Sequence, residues 1–115
     1  MIQFEYKKLD VWKLSIDLVE DIYRIVSLFP KTEEYILKSQ LRRASVSVSA
    51  NISEGSARKS ELDRKRFYAI ARSSLIEIDN HLEIGLLLKF FKEGECKKTN
   101  ELMLSIFRML TKMIA

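Results

Sequence analysis

A run of polar side chains recurs at helical spacing in the middle of the sequence. Its members are three or four residues apart, so an α-helix places them in one stripe beside an apolar stripe: Gln40, Arg43, Ser47, Asn51 and Glu54. Because polar groups at the border of a buried face need hydrogen-bond partners, the stripe predicts a structural network. Ser74 and Glu77, further along the chain, are candidate partners. We expect these seven residues to form a polar network in which Arg43 pairs with Glu54 or Glu77 and sets the helix register.

The same residues do not meet the requirements of a catalytic site. Nucleophilic catalysis needs a nucleophile and a base within hydrogen-bond reach. Ser74 and His81 are separated by about 10 Å along one helix, and no third group is placed to orient the imidazole. We therefore expect no catalytic residue and a protein that is not an enzyme.

Metal and cofactor chemistry is not indicated either. The sequence has one histidine, one cysteine and no Glu-x-x-His pair of the kind that builds di-iron bundles. It has no glycine-rich phosphate loop, and the single Cys96 lies in a polar turn, where an unpaired surface thiol is expected. We expect no metal, no cofactor and no small-molecule substrate.

Positive charge is concentrated in the middle third of the chain. From Lys38 to Arg72 there are nine lysines and arginines against three acidic residues, whereas the whole chain carries a net charge of +4. Such an excess can attract polyanions, so these cations are candidate nucleic-acid contacts: Lys38, Arg42, Arg58, Lys59, Arg64, Lys65, Arg66 and Arg72. Few aromatic rings lie among them, which favours salt-sensitive phosphate contacts over base stacking.

A scaffold that binds another protein is the competing hypothesis, in which the basic residues are incidental. If the eight cations line one continuous surface, nucleic-acid binding is favoured. If they scatter, or pair with Glu61 and Asp63, a scaffold is favoured.

The hydrophobic periodicity predicts four helices, at about 11–28, 31–54, 61–91 and 95–114. Pro30 ends the first helix, Gly55 is expected to end the second as a left-handed cap, and Ser60 caps the third. Four helices with short connections are typical of an antiparallel up-and-down four-helix bundle. With 47% hydrophobic residues and no linker or repeat, residues 1–115 are expected to form one all-α domain.

The first helix carries two apolar stripes that together cover more than half of its circumference. We assign one stripe to the core: Trp12, Ser15, Ile16, Val19, Tyr23 and Val26. The other is the candidate oligomer interface: Val11, Leu14, Leu18, Ile22 and Ile25. Because a monomeric bundle needs a narrower apolar arc, the surplus predicts self-association, unless the N-terminal segment covers it within one chain.

The sequence offers no signal for a membrane or for export. No apolar run approaches the roughly 20 residues that a membrane-spanning helix needs. The N-terminus has no basic segment followed by an apolar block, so no signal peptide is expected. A single cysteine cannot form an internal disulfide, and the cytoplasm is the expected location.

Motifs along nearly the whole chain resemble those of one family. Leu9-Asp10-Val11-Trp12 matches its opening, and Phe29-Pro30-Lys31 with the glutamates that follow matches its next turn. The most specific motif comprises Gln40, Arg43, Ala44, Ser47, Asn51, Ile52, Glu54 and Gly55. The third helix matches at Arg66-Phe67, Ala71, Ser74 and Glu77, with Ser73 where the family usually has glycine.

These motifs resemble the bacterial four-helix-bundle proteins encoded in intervening sequences of 23S ribosomal RNA, also called S23 ribosomal proteins. The resemblance implies a bundle that assembles as a homopentamer and has no enzymatic activity. It also implies a nucleic-acid role, because relatives are encoded within rRNA genes. The expected partners are therefore further copies of the chain and rRNA or another nucleic acid.

Overall fold

The computed structural model describes all 115 residues and contains four α-helices and no strand. The helices are α1 Asp10–Val26, α2 Leu37–Ser56, α3 Glu61–Leu87 and α4 Lys97–Ile114. Single 3-10 turns occupy Glu5–Lys8, Lys31–Glu33 and Glu93–Cys96. Each helix packs against the helices before and after it in the chain, and α4 closes the ring against α1. The prediction of an all-α four-helix bundle is confirmed. None of the helices is both long and apolar enough to span a membrane.

The apolar stripe of α1 that the sequence assigned to an oligomer interface lies in the core of the single chain. Leu18, Ile22 and Ile25 are fully buried in the core, whereas Ile16 and Tyr23 are 41% and 48% exposed. The assignment of Ile16 and Tyr23 to the core is therefore wrong, whereas Ser15 and Val26 of the same stripe are buried as predicted. Both stripes have helical spacing and similar hydrophobicity, so periodicity alone could not decide which one faces α2 and α4.

α2 begins at Leu37, six residues later than predicted. Pro30 is extended, Lys31–Glu33 forms a 3-10 turn, and Ile36 has φ −118° and ψ −102°, outside the helical region. Ile36, the residue before Leu37, therefore interrupts the helix that hydrophobic periodicity predicted from residue 31. As a result, Glu34 lies before α2 and faces the cations of its first turns.

α3 ends at Leu87 rather than at Phe91, because the chain reverses at Lys89. Lys89 has φ 62°, the only positive φ of a non-glycine residue. The amide of Phe90 donates to the carbonyl of Gly85 at 2.9 Å, and that of Lys89 to Leu86 at 3.0 Å, which is a Schellman arrangement. The reversal packs the rings of Phe90 and Phe91 against Phe29, with centroids 5.3 and 5.8 Å from it.

Gly55 allows a close approach of two helices, which corrects its predicted role as a left-handed cap. It lies inside α2, which continues to Ser56, and no glycine has a positive φ. A Cβ atom at this position would lie 2.9 Å from both the Cβ of Phe67 and the Cε1 of Tyr68. The missing side chain therefore sets the spacing between the end of α2 and the start of α3. Ser60 caps α3 as predicted, its hydroxyl accepting from the amide of Asp63 at 3.1 Å.

Candidate nucleic-acid interface and polar cleft

Three of the seven predicted network residues are joined where α2 crosses α3. The hydroxyls of Ser47 and Ser74 lie 3.0 Å apart. The side-chain amide of Asn51 donates to the backbone carbonyl of Ser47 at 2.8 Å and to the hydroxyl of Ser47 at 3.1 Å. Ser74 also lies within hydrogen-bond distance of the carbonyl of Ile70, at 3.2 Å. The small side chains thus satisfy one another while the backbones stay close.

The charged residues of the predicted network remain outside it. Arg43 and Glu54 are exposed and form no ion pair. They are eleven residues apart on one straight helix, about 16 Å, so the proposed Arg43–Glu54 pair is wrong on geometry alone. Arg43 does not pair with Glu77 either, because the Glu77 carboxylate instead faces the Nε2 of His81 at 3.4 Å. The other ring nitrogen of His81 is buried without a partner.

A polar cleft of about 390 Å³ separates Arg43 from Glu77. We call it the α2 cleft, and it is lined by Tyr35, Ser39, Gln40, Arg43, Ala44, Ser47 and Glu77. Gln40, the remaining member of the predicted network, lies here and is exposed. The motif residues that sequence analysis placed in a single buried network are therefore divided between a helix contact and an open cleft.

The eight candidate nucleic-acid cations do not form one surface. Lys38 and Arg42 lie at the start of α2 and both pair with Glu34, whose carboxylate is 3.0 Å from the Lys38 ammonium. Hydrogen bonds from Lys38 and Arg42 lower the pKa of Glu34 below its ordinary value. Twenty residues of helix and turn separate Lys38 from Arg58, about 30 Å.

Two further cations pair with carboxylates in the first turns of α3. Lys65 lies 3.2 Å from Glu61 and Arg66 lies 3.8 Å from Asp63. These are exposed pairs at helical spacing, and such pairs contribute little to stability because water screens them. The carboxylates offset the positive charge of Lys65 and Arg66, but both cations can leave these exposed pairs to bind a competing anion.

Arg58, Lys59 and Arg64 have no carboxylate partner, and we call them the connector cluster. Arg64 donates to the carbonyls of Arg58 and Lys59, at 3.1 and 2.8 Å, and so holds the α2–α3 connector against α3. The guanidinium of Arg58 lies 4.7 Å from the centroid of the Phe67 ring. Three cations therefore share one end of the bundle with a defined backbone.

Arg72 belongs to a third location. Its guanidinium lies 5.7 Å from the centroid of Phe107 and donates to the hydroxyl of Thr111 at 3.3 Å. It bridges α3 and α4, whereas Lys38 and Arg42 pair with Glu34 before α2. The predicted patch thus resolves into three groups: the first turns of α2, the connector with the start of α3, and Arg72.

The predicted oligomer interface is wrong in its residues. Val11, Leu18, Ile22 and Ile25 are buried in the core of the single chain, and Leu14 packs against that core. Exposed apolar side chains lie elsewhere: Ile16 and Tyr23 on α1, Ile70 and Ile76 on α3, and Leu104 on α4. The N-terminal segment covers part of the additional apolar surface of α1, because the ring of Tyr6 packs edge-on against Trp12 at a centroid distance of 5.2 Å.

A buried polar contact between α1 and α4 was missed by the sequence analysis. Asp21 is 4% exposed, accepts from the hydroxyl of the fully buried Thr99, and pairs with Arg24 at 2.9 Å. Arg24 also donates to the carbonyl of Glu95 at 2.9 Å. An acidic residue between Leu18 and Ile25 on the apolar side of α1 was the signal that could have revealed it.

Cys96 lies next to this contact and is buried, so the prediction of a surface thiol is wrong. Burial raises the pKa of the Cys96 thiol above its ordinary value, which keeps the thiol protonated at neutral pH. The short turn that contains Cys96 folds back onto α1, which explains why a polar sequence hides this side chain.

The family profile described as "23S rRNA-intervening sequence protein" matches residues 7–112. The chain belongs to this family. The match includes α1, α2 and α3 completely, α4 as far as Lys112, and every candidate residue discussed above. Membership confirms the resemblance carried by the Trp12 opening and by the polar motif of α2.

A solved structure from the S23 ribosomal protein family has the same fold. It is the crystal structure of a protein of unknown function from Bacteroides thetaiotaomicron, 21% identical, with a TM-score of 0.82. The likeness covers 90% of this chain and 97% of the Bacteroides chain, so the bundle is shared over its whole length. No curated protein matches the sequence.

Proposed function

We propose that this 23S rRNA-intervening sequence protein is a non-enzymatic, self-associating bundle that binds the phosphate backbone of structured RNA. The connector cluster carries the proposal: Arg58, Lys59 and Arg64 are the cations that share one surface and have no carboxylate partner. The family resemblance supports a homopentamer as the assembly and rRNA as the nucleic acid. Cytoplasmic location follows from such a partner.

The connector cluster suits phosphates because its backbone is already ordered. The two hydrogen bonds from Arg64 fix the carbonyls of the connector, so little conformational entropy remains to be lost on binding. Lys65 and Arg66 lie within two residues of Arg64 and can exchange their exposed carboxylate partners for phosphates. One subunit can then contribute up to five phosphate contacts from one end of the bundle.

Self-association would multiply this weak binding. In a ring of identical subunits the connector cluster recurs once per subunit. After one cluster has bound an RNA, the next cluster meets the same RNA at a high effective concentration. Ile16 and Tyr23 on α1, with Ile76 and Leu104 on the α3–α4 side, supply exposed apolar surface that assembly can bury. These residues replace the buried α1 stripe as the proposed interface.

RNA affinity measured across a salt series tests the proposal. The triple variant Arg58→Gln, Lys59→Gln, Arg64→Gln is compared with Lys97→Gln, Lys98→Gln, Lys112→Gln, which removes the same charge from α4. We expect the connector variant to lower the slope of log affinity against log salt by about 2, with the α4 variant close to wild type. Circular dichroism checks that both variants remain helical.

Equal weakening by the two triple variants would contradict the proposal, because net charge alone would then explain the binding. Affinity that stays constant from low to high salt would contradict it as well. Solution mass measured on the same samples, with Tyr23→Ser as the interface variant, tests assembly separately from RNA binding.

A protein-binding scaffold is the second candidate, and the ion pairs favour it. Lys38, Arg42, Lys65 and Arg66 each have a carboxylate partner within the chain, and the cations divide among three locations. By the criterion set from the sequence, this scatter supports a scaffold, whereas the unpaired connector cluster supports RNA binding. A defined oligomer that binds no structured RNA at low salt would establish the scaffold in place of the RNA-binding function.

A further inference from the structure

The α2 cleft has properties that neither RNA backbone binding nor helix packing uses. It lies at the start of α2, whereas the connector cluster follows the end of that helix, about 22 Å from Arg43. Its volume of about 390 Å³ falls within the range of small-molecule sites. Its lining is mostly polar, with a cation on one wall and a carboxylate on the other.

The donors on the α2 wall have no partner in the protein. Arg43 makes no hydrogen bond or ion pair, in contrast to its neighbour Arg42, which is engaged by Glu34. The side chains of Ser39 and Gln40 are likewise unbonded and line the same cleft. A guanidinium, an amide and a hydroxyl that converge on open volume match an oxyanion such as phosphate.

The α3 wall excludes a simple anion as the ligand. Glu77 presents a carboxylate whose one hydrogen-bond partner is the Nε2 of His81 at 3.4 Å, and half of its side chain is exposed. A carboxylate repels phosphate but accepts hydrogen bonds from N–H groups. The occupant must therefore carry an oxyanion at one end and N–H donors at the other.

An aromatic surface completes the site. Tyr35 lines the cleft and is 93% exposed, so both faces of its ring are accessible to a ligand. Stacking on an exposed aromatic ring is a general means of binding nucleobases. An exposed tyrosine of this kind has no role in the core.

The geometry points to a nucleotide as the occupant of the α2 cleft, with its phosphate on Arg43, its base edge on Glu77 and its ring on Tyr35. Guanine is the preferred base, because its adjacent imino and amino N–H groups match the two oxygens of a carboxylate. The same chemistry is offered by free guanosine monophosphate and by the 5′-terminal nucleotide of an RNA. The site is separate from the connector cluster, so either proposal can fail without the other.

Isothermal titration calorimetry of the full chain with guanosine monophosphate tests this site. We expect saturable binding that is weaker for uridine monophosphate, for guanosine and for inorganic phosphate. Arg43→Gln should weaken binding about tenfold or more, which corresponds to the loss of a charge-assisted hydrogen bond. Arg108→Gln, an exposed arginine on α4, is the matched control and should leave binding unchanged.

Two further variants separate the base from the phosphate. Glu77→Gln should reduce the preference for guanosine monophosphate over uridine monophosphate. Tyr35→Ser should weaken both nucleotides about fivefold or more, whereas Tyr35→Phe retains the ring and the affinity. A triple connector variant with lost RNA affinity should still bind the mononucleotide.

Three results would overturn the inference. They are no saturable binding of guanosine monophosphate, inorganic phosphate binding as tightly as the nucleotide, or equal affinity in Arg43→Gln and Arg108→Gln. The source of the ligand is decided by competition with a 5′-phosphorylated trinucleotide that begins with guanosine. Displacement supports an RNA terminus, and failure to displace supports the free nucleotide.

Discussion

The α2–α3 contact and the α1–α4 contact bring helices together by different chemistry. Four residues connect α2 to α3, and these helices meet through a glycine at position 55 and a neutral pair of hydroxyls. α1 and α4 are separated in sequence by the other two helices. They meet through the buried carboxylate of Asp21 and the hydroxyl of Thr99.

The difference follows from how each pair finds its register. A short connector already confines α3 beside α2, so steric fit at Gly55 is sufficient to set their spacing. α4 must align on α1 without such a restraint, and Thr99 is fully buried. In the observed register the hydroxyl of Thr99 bonds to the carboxylate of Asp21, so a directional bond favours that register.

Gly55→Val should produce the largest loss of stability. The first added carbon alone would lie 2.9 Å from the Cβ of Phe67, which is fixed to backbone and cannot swing away. We expect the free energy of unfolding to fall by about 3 kcal/mol, measured by urea denaturation. Gly94→Val is the control, because a Cβ at Gly94 meets nothing within 4 Å. Equal losses in the two variants would show that close approach is not the reason for the glycine at position 55.

Asp21→Ala should have the next largest effect. It leaves the buried hydroxyl of Thr99 without its acceptor, which costs about 2 kcal/mol. Asp21→Asn retains an acceptor oxygen and should cost less. Asp17→Ala, on the exposed side of α1, should have little effect. The buried Cys96 thiol adjoins this contact, so alkylation of Cys96 should be faster in Asp21→Ala than in Asp17→Ala.

Ser74→Ala should have a smaller effect, because the α2–α3 contact depends more on fit than on its hydrogen bonds. Ser47 still accepts from the side-chain amide of Asn51 when Ser74 is truncated, and its own hydroxyl is only half-buried, so water can replace the lost acceptor. A loss of about 1 kcal/mol is expected, with Ser73→Ala on the exposed side as the control. A loss as large as that of Asp21→Ala would contradict the distinction between the two contacts.

Helical periodicity was sufficient to predict the bundle but not the side of α1 that faces it. Leu18 and Ile16 have comparable hydrophobicity, and only the positions of α2 and α4 decide which is buried. The contact of Tyr6 with Trp12, which covers part of the apolar surface of α1, likewise depends on the path of the N-terminal segment. Which side of a helix is buried depends on tertiary packing, and the sequence of one helix does not specify it.

The candidate sites were predictable to different degrees. The spacing of Ser47, Asn51 and Ser74 indicated a contact between helices, which formed. The spacing of Arg43 and Glu54 already excluded their pairing, and helix geometry could have shown this from the sequence. The α2 cleft could not be predicted, because it depends on the non-helical turn at Ile36 that places Tyr35 beside Arg43.

Lys89→Gly should produce the smallest change in stability, and this change should be a gain. Lys89 holds φ 62° in the turn that leads from α3 towards α4, a conformation that glycine adopts without a steric penalty. We expect the free energy of unfolding to rise by about 0.5–1 kcal/mol. Lys89→Ala removes the same charge but keeps the Cβ, so it should give no such gain. If alanine stabilised the protein as much as glycine, the charge of Lys89 and not its backbone strain would limit the stability of this turn.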